Sequence, residues 1–227
     1  SNDGWELWAT NGIPICTATG IQEFFDITVD TNENSLIVAW DDVRNFPYDD
    51  IYAQKVDILG DTLWTSNGVA VCSAPRDQED CTVVSDGAGG AIVCWEDYRY
   101  LVESDVFAQR IDASGAPAWK SDGEPVGVYF YHQDKPAIVT DSEHGALIFW
   151  HDYRNSSHYD LYGQRMTSDG LWGYPCPAIH SVRDVPGDQG GLVNVTWDAS
   201  RLDVPPGDID VYTVWRAIDA LAAITRI

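Results

Sequence analysis

Hydrophobic and polar positions repeat along this chain with a spacing of 55 residues. Trp40, Trp95 and Trp150 mark the spacing, and each ends a short apolar run: LIVAW, AIVCW or ALIFW. Before each run lies an alternating segment (DITVD, CTVVSD or AIVTD) and a tight turn rich in residues that tolerate positive φ. Alternation predicts a half-buried strand, whereas an uninterrupted apolar run predicts a strand that is covered on both faces.

Two further segments complete each repeat. One alternates again after a polar loop: DIYAQKVD, DVFAQRID or DLYGQRM. The other has an LW…NG…C pattern and begins at Glu6, Thr62 and Ala118, with a shortened copy from Leu171. Four short strands with tight turns need about 50 residues, which fits the spacing. The sequence therefore predicts an all-β chain of β-propeller-like, four-stranded antiparallel blades in about three repeats, with a stacked β-solenoid as the alternative.

The pattern changes near residue 179, which predicts a repeat region over 1–178 and a different segment over 179–227. The second segment resembles the first strands of a fibronectin type III module, through LVNVTWDAS and IDVYTVWRA, with Trp197 and Tyr212 as expected core aromatics. Such a β-sandwich has roughly seven strands, so this one is partial, and its final residues, ALAAITRI, are a candidate helix.

Three blades and part of a fourth are fewer than the roughly four to eight of a typical propeller. Exposed blade edges would invite strand pairing. We therefore expect either a longer chain or a homo-oligomer to complete the ring, and favour a dimer in which each chain supplies three blades of six.

The charge excludes one class of partner. The formal net charge is −23, and only three of thirteen basic residues are lysines. Nucleic acid is not expected as a partner, because its binding relies on clustered Lys and Arg. No apolar run reaches the roughly 18 residues that span a bilayer, so no membrane span is expected. The first residues lack a basic and apolar leader, and we expect a mature secreted or cell-surface protein.

The motifs W-x-D-x-R, D-[IVL]-[YF]-[AG]-Q-[KR] and D-x-x-G-x-x-x-W together resemble the β-propeller repeats of secreted bacterial multidomain proteins. The last motif (Asp57 to Trp64, Asp112 to Trp119) is also similar to the Asp-box turn of sialidase-like propellers, with different spacing. The resemblance implies a scaffold rather than one activity. We expect a non-catalytic extracellular binding, structural or adhesion module; the alternatives are a sialidase-like glycoside hydrolase and a calcium-dependent adhesion module.

The candidate ligand-binding residues are one arginine per repeat and the aspartate two positions before it: Arg44, Arg99, Arg154, Asp42, Asp97 and Asp152. Three arginines converging on a substrate carboxylate would resemble a sialidase site. The alternative is that each arginine pairs with its own aspartate and fastens strand to loop. A feature present in every blade favours the second interpretation, because an active site needs each group only once. No catalytic residue is assigned.

Residues that depart from the repeat are further candidates. His151 replaces an acid, and His132, His144 and His158 lie in the same repeat, so a metal site or surface loops would explain them. The aromatic run Tyr129, Phe130 and Tyr131, and the loop Phe46 to Tyr48, are candidate stacking platforms for a sugar or a peptide, or covers of a core edge. Carbohydrate or protein is therefore the expected class of ligand.

Metal and disulfide chemistry have weaker signals. No cofactor is assigned; Ca²⁺ is the one candidate, because Asp-rich turns at 41–42, 49–50 and 208–210 offer carboxylate oxygens without a recognised calcium spacing. Cys81 and Cys94 flank the GAGG turn, which predicts direct cross-strand neighbours. One disulfide between them is expected if the protein is secreted, and three buried free thiols, with Cys72 as the third, are the alternative.

Overall fold

A computed structural model describes residues 8–30, 34–100, 103–141 and 143–172, together with four strands at 179–184, 193–197, 215–218 and 221–224. The regular elements of these residues are fifteen β-strands. Two sheets have four strands in simple chain order, and every pairing is antiparallel. The predicted all-β class with four-stranded, propeller-like blades is confirmed.

The three sheets of the repeat region are numbered here as blades. Blade 1 contains β1 (Gln22–Asp30), β2 (Ser35–Asp42), β3 (Asp50–Asp57) and β4 (Val69–Cys72). Blade 2 contains β5 (Gln78–Ser85), β6 (Ala91–Asp97), β7 (Asp105–Ile111) and β8 (Glu124–Gly127). Blade 3 contains, within the described residues, β9 (Gln133–Thr140), β10 (Ala146–Asp152) and β11 (Asp160–Met166).

The boundary of the blade differs from that of the sequence repeat. Strands β4 and β8 come from the LW…NG…C segments that begin at Thr62 and Ala118, so each such segment completes the blade before it. Its glycine is sterically required: Gly123 has a φ of 87°, and a Cβ there would lie 2.6 Å from Cη2 of Trp95. The shortened fourth copy begins at Leu171 and Trp172, and its remaining residues lie outside the described part of the chain.

Each blade has two apolar faces. In blade 2, Val93 and Trp95 of β6 belong to a core cluster shared with blade 1, whereas Ile92 and Cys94 belong to a cluster shared with blade 3. We call the side that carries the tryptophan the front face and the opposite side the back face. Strand β6 is buried at every position, as its uninterrupted apolar run predicts.

The predicted register of Cys81 and Cys94 is wrong. A β-bulge between Glu79 and Thr82 adds a residue to β5, so Thr82 is the partner of Cys94. Cys81 consequently packs in the front cluster of blade 2 and Cys94 in the back cluster. Both are free thiols, because a disulfide cannot join side chains that leave opposite faces of a sheet.

The remaining residues form a second compact unit, which begins at Tyr174. Its described strands pair as two antiparallel hairpins: β12 (Ile179–Asp184) with β13 (Val193–Trp197), and β14 (Trp215–Ile218) with β15 (Leu221–Ile224). The candidate helix near the end is therefore wrong, because the strand β15 occupies four of its eight residues. Tyr212 lies outside the described residues, and the fibronectin-like assignment stays a prediction. In the described parts of the chain, no helix is long and apolar enough to span a membrane.

Candidate functional site

The W-x-D-x-R motif forms a closed hydrogen-bonded clamp at the end of the second strand of each blade. In blade 2, the fully buried Asp97 carboxylate accepts hydrogen bonds from Trp95 Nε1 at 2.8 Å and from the Arg99 backbone N–H at 2.9 Å. Arg99 adds bonds from Nε at 2.8 Å and Nη2 at 2.6 Å. Its guanidinium lies 3.9 Å from the centre of the Phe107 ring, so the ion pair is also held by a cation–π contact.

Blades 1 and 3 repeat the clamp. Arg44 reaches Asp42, and Arg154 reaches Asp152, each at 2.6 Å. Burial alone would raise the pKa of these carboxyls, but the hydrogen bonds from the arginine and the neighbouring indole outweigh it, and the pKa of Asp42 and of Asp152 is lowered. All three arginines are therefore engaged by the aspartate of their own blade.

The clamps of blades 1 and 2 also bind the turn that precedes the last strand of the blade. Nη2 of Arg44 donates to the Asn67 carbonyl at 2.8 Å, and Nη2 of Arg99 donates to the Asp122 carbonyl at 2.7 Å. Both acceptors lie in the turn that precedes the final strand, so each guanidinium joins three segments of one blade. This geometry favours fastening over recognition of a substrate carboxylate by converging arginines.

The histidines of the third repeat have separate partners. His132 contacts Ser104 Oγ at 3.2 Å, His144 contacts the Asp86 carbonyl at 2.8 Å, and His151 lies 3.7 Å from Asp134. Among the described residues, no group of three or more His, Cys, Asp or Glu side chains is arranged to hold a metal ion. The proposed calcium turn at 208–210 lies outside them.

An open cleft of about 440 Å³ lies where the loop after β6 meets the loop after β8. The aromatic run flagged in the sequence supplies Tyr129 and Phe130, and the neighbouring loop supplies Tyr100, which is 60% exposed. Glu103 and Asp105 contribute carboxylates. Exposed aromatic rings beside a few polar groups are typical of a small-ligand site.

The cleft depends on one departure from the repeat. In blades 1 and 3 an asparagine follows the clamp arginine, and Asn45 donates to Asp50, and Asn155 to Asp160, each at 2.7 Å. Tyr100 replaces this asparagine in blade 2. The equivalent carboxylate, Asp105, thus lacks the amide that its counterparts have and lines the cleft.

The electrostatics of Asp105 follow from this substitution. Burial raises its pKa to about 6, against the lowering effect of the Tyr129 backbone N–H, and the charges of Asp97 and Glu103 raise it further. Glu103 is fixed by a hydrogen bond from the Tyr131 backbone N–H at 3.0 Å. The cleft therefore combines aromatic walls with a buried carboxyl that both accepts and, near pH 6, donates a hydrogen bond.

Sequence reasoning found one wall of this cleft and missed the other. Tyr129 and Phe130 departed from the repeat as a run, whereas Tyr100 was a single change inside a polar loop of variable content. The sequence nevertheless showed this change, because the clamp arginine is followed by asparagine in blades 1 and 3 and by Tyr100 in blade 2. The structure brings the two walls together and leaves the three clamp arginines in separate pairs.

The fold defines a class: an all-β protein built from propeller-like blades. No model of a known family matches the chain, and no curated protein matches it. Among solved structures, the chain is similar to an endo-arabinase from Bacteroides thetaiotaomicron, at 13% sequence identity with a TM-score of 0.42, over 80% of this chain and 77% of that chain. A likeness at this level carries no argument about activity, so function is argued from the cleft.

Proposed function

We propose that this chain is a non-catalytic binding module of a secreted or cell-surface protein, and that the cleft between the loops after β6 and β8 takes a neutral carbohydrate. The observation that carries the proposal is that exposed aromatic rings lie beside a buried carboxyl, Asp105, which lacks the asparagine hydrogen bond of its counterparts. Phe130 is 76% exposed, whereas Asp105 is 6% exposed. Tyr129 and Phe130 pack edge to face at 5.6 Å between ring centres, and such exposed rings suit a ligand that brings its own apolar face.

Carbohydrate matches this chemistry because a sugar ring has an apolar C–H face and polar hydroxyl edges. The C–H face would stack on Tyr129 or Phe130, and hydroxyl groups would donate to Glu103 and Asp105. A net charge of −23 and two lining carboxylates disfavour an anionic sugar. The nearby Arg99 guanidinium is already paired with Asp97, which further favours a neutral ligand.

Affinity electrophoresis in native gels that contain soluble neutral polysaccharides tests this function. We expect at least one polysaccharide to retard the chain, and Tyr129→Ala and Phe130→Ala to abolish the retardation. Phe46→Ala is the matched control: Phe46 is 82% exposed on the equivalent loop of blade 1, away from the cleft. Retardation that persists in both cleft variants would show that the cleft is not the site.

A glycoside hydrolase is the second candidate, and the two carboxylates of the cleft favour it. Glycosidases use a pair of carboxyl groups, one of them with a raised pKa as the general acid, and the raised pKa of Asp105 fits that role. Release of reducing ends from the retarding polysaccharide distinguishes the two functions. Hydrolysis that is lost in Asp105→Asn while retardation persists would establish the enzyme; retardation without hydrolysis supports the binding module.

A further inference from the structure

Within the described residues of the repeat region, two blade faces are uncovered, and they correspond to the two sides of the internal junctions. The front face of blade 1 exposes Phe25, Ile27 and Val29, and the back face of blade 3 exposes Phe149 and Leu161. Ile27 is 53% exposed and Leu161 is 72% exposed. These faces are apolar at positions that soluble surfaces usually leave polar.

Equivalent positions inside the array are covered. Val83 takes the place of Ile27 on the front face of blade 2 and is 4% exposed, and Val106 takes the place of Leu161 on its back face and is 0% exposed. The front of blade 2 packs on the back of blade 1, and the front of blade 3 packs on the back of blade 2. The two uncovered faces are therefore the two halves of a junction that the chain already forms twice.

A polar contact accompanies each internal junction. Asp41 on the back of blade 1 accepts the Asp80 backbone N–H at 2.9 Å, and Glu96 on the back of blade 2 accepts the Lys135 backbone N–H at 2.7 Å. Asp80 and Lys135 direct these N–H groups from a left-handed backbone conformation, with φ of 53° and 51°. This conformation is costly for residues other than glycine, so the repeated contact offsets a local strain.

The two outer faces, on blade 1 and on blade 3, carry residues at the positions that make this contact. Phe24, at the position of Asp80 and Lys135, has a φ of 47° on the front face of blade 1. On the back face of blade 3, His151 holds the position of Asp41 and Glu96. His151 thus places an imidazole ring where the other blades place a carboxylate, and an imidazole nitrogen that carries no proton can accept a hydrogen bond from the Phe24 N–H. An apolar groove of about 450 Å³ lies on the front face of blade 1 and is lined in part by Phe25, Ile27 and Trp40.

We propose that two copies of this chain associate head to tail, with the front face of blade 1 in each copy packed on the back face of blade 3 in the other. Two sets of three blades give six, which lies within the range of about four to eight for closed propellers, whereas three copies would exceed it. Both junctions are equivalent, and a ring that closes leaves neither face exposed. Phe25 and Phe149 replace smaller side chains at these positions in the internal junctions, and their rings enlarge the apolar contact between copies.

Charge opposes this association and gives it a salt dependence. Each copy carries a formal charge of −23, so two copies repel one another at low ionic strength. Added salt screens this repulsion beyond about 10 Å at 0.1 M. We therefore expect the dimer to tighten as salt is added, the reverse of association that is driven by complementary charge.

Sedimentation velocity of the chain in low and high salt tests the association. We expect a species of about twice 25.1 kDa that is strengthened by salt, and monomers for Ile27→Asp and for Phe149→Asp. The control, Phe46→Asp, places the same charge on an exposed aromatic residue away from both faces and should remain dimeric. A wild-type monomer at all salt concentrations, or a dimer that survives both face substitutions, overturns the proposal and assigns these faces to another occupant.

Disulfide trapping tests the head-to-tail direction and does not depend on how the charged variants fold. Asp41 is hydrogen-bonded to the Cys81 side chain at the junction of blades 1 and 2, and the equivalent residues across copies are His151 and Phe25. The double variant Phe25→Cys, His151→Cys should form a covalent dimer on mild oxidation, whereas each single variant should not. A covalent dimer of the Phe25→Cys variant alone would indicate front-to-front pairing and refute the model.

Discussion

The clamp of blade 2 yields a sharp test when its carboxylate is changed to an amide. Asp97→Asn keeps the size and the buried position of the side chain but replaces one acceptor oxygen by an NH₂ donor. In place of Oδ2, that NH₂ group would face both Trp95 Nε1 and Arg99 Nη2, which are donors at 2.8 Å and 2.6 Å. In place of Oδ1, it would face Nε and the backbone N–H of Arg99, which are donors at 2.8 Å and 2.9 Å. The substitution also leaves Arg99, whose side chain is only 13% exposed, without its counterion.

The expected loss can be bounded from these contacts. Removing one partner of a buried ion pair costs about 3–5 kcal/mol, and the carbonyl oxygen that remains keeps part of the bonding to Arg99. We therefore expect Asp97→Asn to lower the free energy of unfolding by about 3 kcal/mol. For a domain of this size, each kcal/mol shifts the melting temperature by roughly 2–4 °C, so a fall of about 6–12 °C should follow.

Urea denaturation followed by tryptophan fluorescence, with a thermal melt by circular dichroism, measures this loss. Glu143→Gln is the control, because it removes the same charge from an ion pair in which the carboxylate side chain is 62% exposed; such surface pairs contribute at most about 1 kcal/mol. Adding Arg99→Met to Asp97→Asn should recover part of the loss, since no unpaired charge then remains. An effect of Asp97→Asn no larger than the control would refute the role of the clamp as a fastener.

Three more predictions follow from individual contacts. Gly123→Ala should lower the free energy of unfolding by about 2 kcal/mol or more, because a methyl group there clashes with the Trp95 indole and the left-handed backbone is also strained. Gly12→Ala is the control in the same urea titration: Gly12 has a φ of 88° and open space around it, so this change should show the backbone strain alone. Burial raises the pKa of Asp41 and of Glu96 to about 7, above the values in the unfolded chain. The contribution of these two groups to stability should therefore fall as the pH rises from about 4 to 7. A urea midpoint that does not fall over this window would contradict the prediction. Tyr100→Asn recreates the asparagine cap of the other blades over the cleft carboxyl, and should weaken retardation by polysaccharide at least tenfold while leaving the urea midpoint unchanged.

The repeat made the fold largely predictable. An apolar run that ends in Trp95 leaves no face for solvent, and only neighbouring sheets can cover it. The first and last residues of a blade were harder to predict, because a periodic sequence has no intrinsic starting point. The hydrogen bonds between β3 and β4 define the end of blade 1, and they place Cys72 in the blade that begins at Gln22.

The candidate site was harder to predict for two physical reasons. Counting positions across the GAGG turn assumed a regular ladder, whereas the bulge that directs the Asp80 N–H at Asp41 shifts Cys81 away from Cys94. The cleft also joins two loops that are separated along the chain, one after β6 and one after β8, and its key change is the loss of the asparagine hydrogen bond to Asp105. A pattern of residue types shows which positions differ but not which of them meet.

The clamp has a consequence for how such a chain could evolve. The ion pair of each clamp lies within one blade: Arg99 bonds Asp97 at the exit of β6 and the turn before β8, and Arg44 bonds Asp42 and the turn before β4. Each guanidinium also donates to a cysteine of the preceding LW…NG…C segment, Arg44 to Cys16 at 3.4 Å and Arg99 to Cys72 at 3.3 Å. A duplication or deletion of one 55-residue unit would therefore leave the ion pair of every remaining clamp intact and would change how many junctions the array contains. Selection could alter ring size by whole blades, while changes in single loops, such as Tyr100, supply new specificity without disturbing the rest.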